Sequence, residues 1–273
     1  MPARTRPSFR NPPVGEVVCG IQFRPLTQFQ APHYGIFWEQ IRKEFPRCRT
    51  VAPLATGQPI DMQPNEPTEI TVQFVANAPD MPRVWFISKD DTCLVQLQPD
   101  RLLFNWREGP SRAPYPRFKT IIKKFRDIFG KFDKFVNTNG LGELSLLQTE
   151  VTYINHIKFA PGFESFADIG EVFPDFSWRR GDRTVSAPDN FQFRSTHPLL
   201  NDGKLQVSIG SARSRTDKSP LIRFDLTARG SATLLKNVNE IWNWYDLANE
   251  TIVDAFIDLT SKAMQRDSWK RIK

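Results

Sequence analysis

Cysteine and histidine are scarce in this chain of 273 residues, with three of each: Cys19, Cys48 and Cys93, and His33, His156 and His197. The cysteines are far apart, odd in number and never in a C-x-x-C arrangement. That excludes a disulfide framework and points to reduced thiols of a cytosolic protein. No histidine has a second ligand three or four residues away on a helix, so the spacing of a zinc site is missing and no metal is expected. No G-x-x-x-x-G-K-[ST] loop occurs, and "GSARSRTDKSP" (210–220) lacks the glycine spacing that lets backbone amides surround a phosphate. Nucleotide hydrolysis is therefore not supported. No apolar run reaches the length of a transmembrane helix, and the basic, proline-rich "MPARTRPSFRNPP" is followed by no apolar run of signal-peptide length. The expected location is cytoplasmic.

What is present is the composition of a globular protein. Apolar residues make up 40%, charged residues 25% and aromatic residues 12% of the chain, enough to build a core. A net charge of +7 and a pI near 9.4 give a modest pull toward polyanions.

The pattern of apolar residues predicts a duplicated α+β architecture. In "EVVCGIQFRP", Val17, Cys19, Ile21 and Phe23 alternate with Glu16, Gly20 and Gln22, the period of a half-buried strand. "YGIFWEQIRKEFP" then has helical spacing until Pro46. After a connector at 52–68, "EITVQFVA", "RVWFISKD", "TCLVQLQPD" and "RLLFNWRE" read as an antiparallel meander with a turn at Pro99-Asp100. In "YPRFKTIIKKFRDIFGKFDKF", Phe118, Ile121, Ile122, Phe125, Ile128, Phe129 and Phe132 form one stripe, with Lys123, Lys124 and Arg126 largely off it.

The same order returns in the second half. "EVTYINHIKFAP" (150–161) corresponds to "EVVCGIQFRP" (16–25), and "FADIGEVFPDF" to "FWEQIRKEFPR". "NFQFRSTHPL", "GKLQVSIGSA" and "LIRFDLTARG" supply three strands, and residues 238–266 a long helix. The expected organisation is a basic flexible arm at 1–13, a β-α-β-β-β-α unit at 14–142 and a second at 143–273. The expected sheets are antiparallel, with helices on one face and the other face left to water or a partner. Whether the two units share one sheet is left open.

Strand parity sorts the side chains of 92–109. If Leu102, Phe104 and Trp106 point inward, Arg101, Leu103, Asn105 and Arg107 point out; if Val95 and Leu97 point inward, Leu94, Gln96 and Gln98 point out.

Three stretches carry a family resemblance: "PPVGEVVCGIQF", "VWFISKDDTCLVQLQPDRLLFNWREG" followed by "YPRF", and "EVTYINHI". Over residues 11–160 the chain resembles a family of bacterial proteins of about this length, known mainly for its sporadic distribution. The resemblance implies neither an activity nor a cofactor. The scattered occurrence is similar to that of accessory genes in mobile elements or antiphage defence loci, which is an association only.

Catalysis finds little support. Asp100 and Glu108 superficially resemble nuclease carboxylates, but the expected lysine is absent and Pro-Asp favours a type I turn. The reading is a protein that is not an enzyme, uses no small-molecule cofactor, and binds a protein partner or itself. A sequence-tolerant nucleic-acid binder is the alternative. The candidate surface comprises Gln96, Gln98, Arg101, Asn105 and Arg107 on the sheet, with Arg179, Arg180 and Arg183 of "WRRGDR" and Arg213 and Arg215 of "SARSR" in loops. A basic helix lying on an anionic membrane is a further reading for 117–134.

Overall fold

The computed structural model describes residues 7–54, 81–109, 114–178, 181–182, 184–199, 203–214, 217–232 and 238–272. Strand β1 (Val14–Phe23) leads into helix α1 (Ala31–Ile41). It is followed by β2 (Arg47–Val51), β3 (Arg83–Ile87), β4 (Cys93–Gln98), β5 (Arg101–Arg107) and the long α2 (Phe118–Thr138). The second half runs β6 (Leu146–Lys158), a 3-10 turn (Phe166–Asp168) continuing into the one-turn α3 (Ile169–Val172), β7 (Gln192–Pro198), β8 (Lys204–Arg213), β9 (Pro220–Ser231) and α4 (Val238–Leu259). The predicted strand 69–76 lies outside the described residues.

All nine strands form one antiparallel sheet in the order β2-β3-β4-β5-β1-β6-β9-β8-β7. The two halves therefore join edge to edge through β1 and β6, which pair from Val14↔Asn155 to Phe23↔Leu146. Outward from that seam, one side reads β5, β4, β3 and the other β9, β8, β7.

One face of the sheet is apolar. Val17, Cys19, Ile21 and Phe23, the predicted inward set, are buried, as are Val95, Leu97, Leu102, Phe104 and Trp106. In the second half Val151, Tyr153, Val207, Ile209, Phe224 and Leu226 line the same layer. α2 supplies Phe118, Ile121, Phe125, Ile128, Phe129 and Phe132 from its predicted stripe, extended by Phe135 and Val136. Burying each such side chain contributes about 1.5–3 kcal/mol. Aromatic edges then interlock the layer: Phe37 packs on Phe132, and Phe125 on both Trp242 and Tyr245. Because the apolar stripe of α2 is consumed by this packing, it offers no surface to a lipid bilayer, and the membrane-surface reading of 117–134 loses its basis. Among the described residues no helix is long and apolar enough to cross a membrane.

The "FADIGEVFPDF" helix is short, a 3-10 turn at Phe166–Asp168 running into α3, and ends at the expected Phe-Pro. Phe173 is extended ahead of Pro174 and ends it, and Gly170 lies so close to the Phe176 carbonyl that a Cβ would stand 2.7 Å from it. Near the start, residues of the arm expected at 1–13 are in contact with the far end of the chain. Phe9 is buried against Phe256 and Trp269, and the Arg10 and Asn11 amides donate to the Lys270 and Trp269 carbonyls.

Candidate functional site: the open face of the sheet

The face opposite the helices holds the residues that parity assigns outward. The cross-strand register makes them neighbours. Arg83 Nη1 on β3 donates to Gln96 Oε1 on β4 at 3.0 Å, and Gln96 Nε2 donates to Asn105 Oδ1 on β5 at 2.8 Å. Asn105 Nδ2 then donates to Glu16 Oε1 on β1 at 2.5 Å. A chain of hydrogen bonds thus crosses four strands. Gln98 turns to the backbone of Leu54, accepting from its N–H at 2.9 Å and donating to its carbonyl at 3.3 Å.

These amides are not wet. Gln96, Gln98 and Asn105 are only 4–6% exposed, so their hydrogen bonds are internal and fix the strands rather than facing water.

Most of the arginines carry their own counter-ions. Arg101 makes a two-pronged pair with Asp100, at 3.1 and 2.8 Å. Arg107 Nη2 meets Asp91 Oδ1 at 2.9 Å, and Arg47 reaches the same oxygen at 3.0 Å. On the second half Arg223 pairs with Asp225 at 2.8 Å, and Arg229 bridges Glu150 Oε2 at 2.6 Å and Gln206 Oε1 at 3.1 Å. Three arginines of this face make no ion pair among the described residues: Arg49 and Arg194 are exposed, whereas the Arg83 guanidinium lies over the Trp85 ring at 5.4 Å from the centroid, and its Nε and the Trp85 indole N–H are buried without acceptors. Burial, and Arg101 beside it, lower the Arg83 pKa.

Small residues floor the middle of this face. Val18, Gly20, Thr152, Thr227, Ser208 and Gly210 lie between Asn105 and Arg107 on one side and Gln206 and Arg194 on the other. Thr152 and Thr227 share a hydrogen bond at 2.9 Å. One transverse row reads Arg107, Glu16, Ile154, Asp225, Ser208, Arg194. Desolvation raises the Asp225 pKa above its usual value despite Arg223, with Glu16 adding to the rise.

Of the loop arginines expected to join this surface, Arg213 is exposed at the end of β8 and donates to the Lys218 carbonyl at 3.2 Å. Arg179, Arg180, Arg183 and Arg215 lie outside the described residues. The sequence assigns no carboxylate to this surface and reads Asp100 as a turn residue. Asp91, Asp100, Asp225 and Glu150 belong to the site as ion-pair partners, and the signal available was their placement at strand ends or on the outward parity beside arginines.

The scarce chemistry is dispersed. His33 caps α1 by accepting from the Gln30 amide at 2.8 Å, His156 lies over Gly15, and His197 shares a 2.8 Å hydrogen bond with Ser195 on the exposed outer strand β7. Cys19 and Cys93 are buried, and burial pushes both thiols up in pKa; Cys48 is exposed. Among the described residues no group of His, Cys, Asp and Glu is arranged to hold a metal.

No family profile, no curated protein and no solved structure matches this chain.

Proposed function

We propose that the protein is a non-enzymatic binding or adaptor component that recognises a protein partner on the open face of its sheet, as an accessory factor of a mobile-element or defence locus. The observation that carries this reading is the internal pairing of Arg101, Arg107, Arg223 and Arg229 with carboxylates. A phosphate backbone needs uncommitted cations. A face of half-buried hydroxyls and neutralised guanidinium groups over a floor of small residues suits instead the mixed donors and acceptors of a protein surface. The alternative, sequence-tolerant nucleic-acid binding by this face and its loops, is favoured by the net charge of +7 and by the exposed Arg49 and Arg194, which make no ion pair among the described residues.

The two halves are further proposed to be copies of one β-α-β-β-β-α unit, the first half carrying one strand more, β2 at the sheet edge. Aligning Glu16 with Glu150 makes Arg107 the counterpart of Arg229, because each arginine is the cross-strand partner of the corresponding glutamate.

The test is affinity capture from the native host with the wild-type chain and with Thr152→Arg/Thr227→Arg, which fills the floor of the face. Support is a stoichiometric protein that survives nuclease and about 0.5 M salt and is lost with the double variant. Recovery of nucleic acid, with all co-purifying protein released by nuclease, would transfer the proposal to the alternative.

A further inference from the structure

The sheet ends in two strands that are not alike. β2 is five residues long, follows Pro46 and carries Arg47 and Arg49, the short and charged kind of edge that resists pairing. β7 is seven residues long and mostly exposed, with Arg194 and no Lys, Asp or Glu. Among the described residues no strand pairs with its outer side. The register shows which backbone groups that side offers. The Ser211 amide donates to the Phe191 carbonyl at 3.0 Å and the Leu199 amide to the Gly203 carbonyl at 2.8 Å, so the odd-numbered residues of β7 turn their N–H and C=O groups toward β8. The N–H and C=O groups of Gln192, Arg194 and Thr196 therefore point away from the sheet. Side chains follow the same parity. Phe193, Ser195 and His197 lie across from Ile209, Val207 and Leu205 on the helix side, where Phe193 packs on Phe176 at 4.7 Å and stays 36% exposed. Arg194 lies on the open side, and the Gln192 amide, turned so that its oxygen faces the guanidinium, accepts from Nη2 at 3.0 Å and Nε at 3.2 Å. Asp225, on the same transverse row, is taken by Arg223. β7 and β8 together hold Arg194, Lys204 and Arg213 and no Asp or Glu.

We propose that the β7 edge is a strand-addition site for an extended acidic segment of the protein partner, which continues the sheet with apolar side chains beside Phe193 and carboxylates beside Arg194. A second copy fits less well. Antiparallel pairing of β7 with itself employs all three outward residues in one register only, and that register sets Arg194 directly against Arg194 of the other copy, a like-charge pair. Shifting the register either way brings in Pro198, which has no N–H, or Asn190, which lies outside the strand. The inference rests on the reading of a protein partner, names that partner's chemistry and adds the sheet edge to the face.

Fluorescence anisotropy tests it with a labelled peptide of about eight residues alternating valine and glutamate, and a valine–lysine peptide as control. The full chain is expected to bind the acidic peptide with a dissociation constant below about 200 μM, and the basic one at least about tenfold more weakly. Thr196→Pro removes one outward N–H and no bond to β8, a change an edge strand tolerates, and should weaken the acidic peptide at least about tenfold with unchanged circular dichroism. Arg194→Glu should weaken it as much and reverse the preference between the peptides. Amide exchange followed by NMR should slow at Gln192, Arg194 and Thr196 when the acidic peptide is added. Thr152→Arg/Thr227→Arg, which fills the floor of the open face, should leave peptide binding unchanged, so the edge and the face fail in different variants. No saturable binding up to about 1 mM, equal binding of both peptides, or indifference to Thr196→Pro overturns the proposal. Peptide binding lost with the floor variant and kept with Thr196→Pro places the segment on the open face and overturns it too. So does a wild-type dimer that Thr196→Pro dissociates, which assigns the edge to a second copy.

Discussion

The Tyr245 hydroxyl, on α4 of the second half, donates a 2.5 Å hydrogen bond to the Gly20 carbonyl on β1 of the first. The ring is fully buried, and burial pushes its pKa well up, so the phenol stays a donor across the accessible pH range. One side chain therefore ties the last helix to the centre of the sheet. Tyr245→Phe keeps the packing and removes the bond, and should cost about 1 kcal/mol in urea unfolding with an unchanged m-value. An unaltered midpoint would show that the tie contributes nothing.

Two glycines separate a stiff neighbour from a soft one. A Cβ at Gly230 would lie 2.3–2.9 Å from three atoms of the Trp244 indole, whereas at Gly20 the single close atom is the Cδ2 end of Leu103. Gly230→Ala should therefore destabilise by about 1–3 kcal/mol through overpacking. Gly20→Ala should cost clearly less, because Leu103 can turn aside. Comparing the two melting temperatures decides the matter, and equal losses would contradict it.

Asn105 is the midpoint of the hydrogen-bond chain from Arg83 to Glu16. Asn105→Leu leaves buried Gln96 without its acceptor and Glu16 without its donor, and is expected to lower stability by about 1–3 kcal/mol. Gln96→Leu in the same background removes the orphaned amide but also the acceptor of Arg83 Nη1, so the double variant should lose less than the sum of the two single ones. Strictly additive losses in the double-mutant cycle would argue against coupling along the chain.

Asp225 has a folded-state pKa above its unfolded value. A carboxyl raised in this way favours folding when protonated, and that contribution is lost as pH rises through the folded pKa. Asp225→Asn should therefore gain melting temperature relative to wild type on going from about pH 3 to pH 7, in a series of thermal melts. A gain that shrinks over the same range would reverse the sign and assign the dominant role to the Arg223 pair.

Much of the sheet was legible because its signal is local. Period-2 alternation placed β1, β4, β5, β6, β8 and β9, and parity sorted Trp106 inward and Arg101 and Arg107 outward. β2 escaped because "RCRTV" is exposed along its length and has no apolar alternation to read. The helical stretch at Phe166–Val172 was legible as well, because its apolar spacing runs into Phe173-Pro174, where the chain turns extended. The single sheet was not legible at all, since the β1 and β6 pairing joins residues more than a hundred positions apart and leaves no mark on either strand alone. The same holds for the site: the arginines could be named from sequence, but the carboxylates that neutralise them depend on register and turn geometry, and so does the burial of Gln96 and Asn105.

The seam between β1 and β6 has a mechanical consequence. Its nine residue pairs lie at the middle of the sheet, so the two halves are joined by a strand ladder and neither can swing against the other without breaking it. A partner docking across this seam, as proposed, would meet backbone whose spacing is already set.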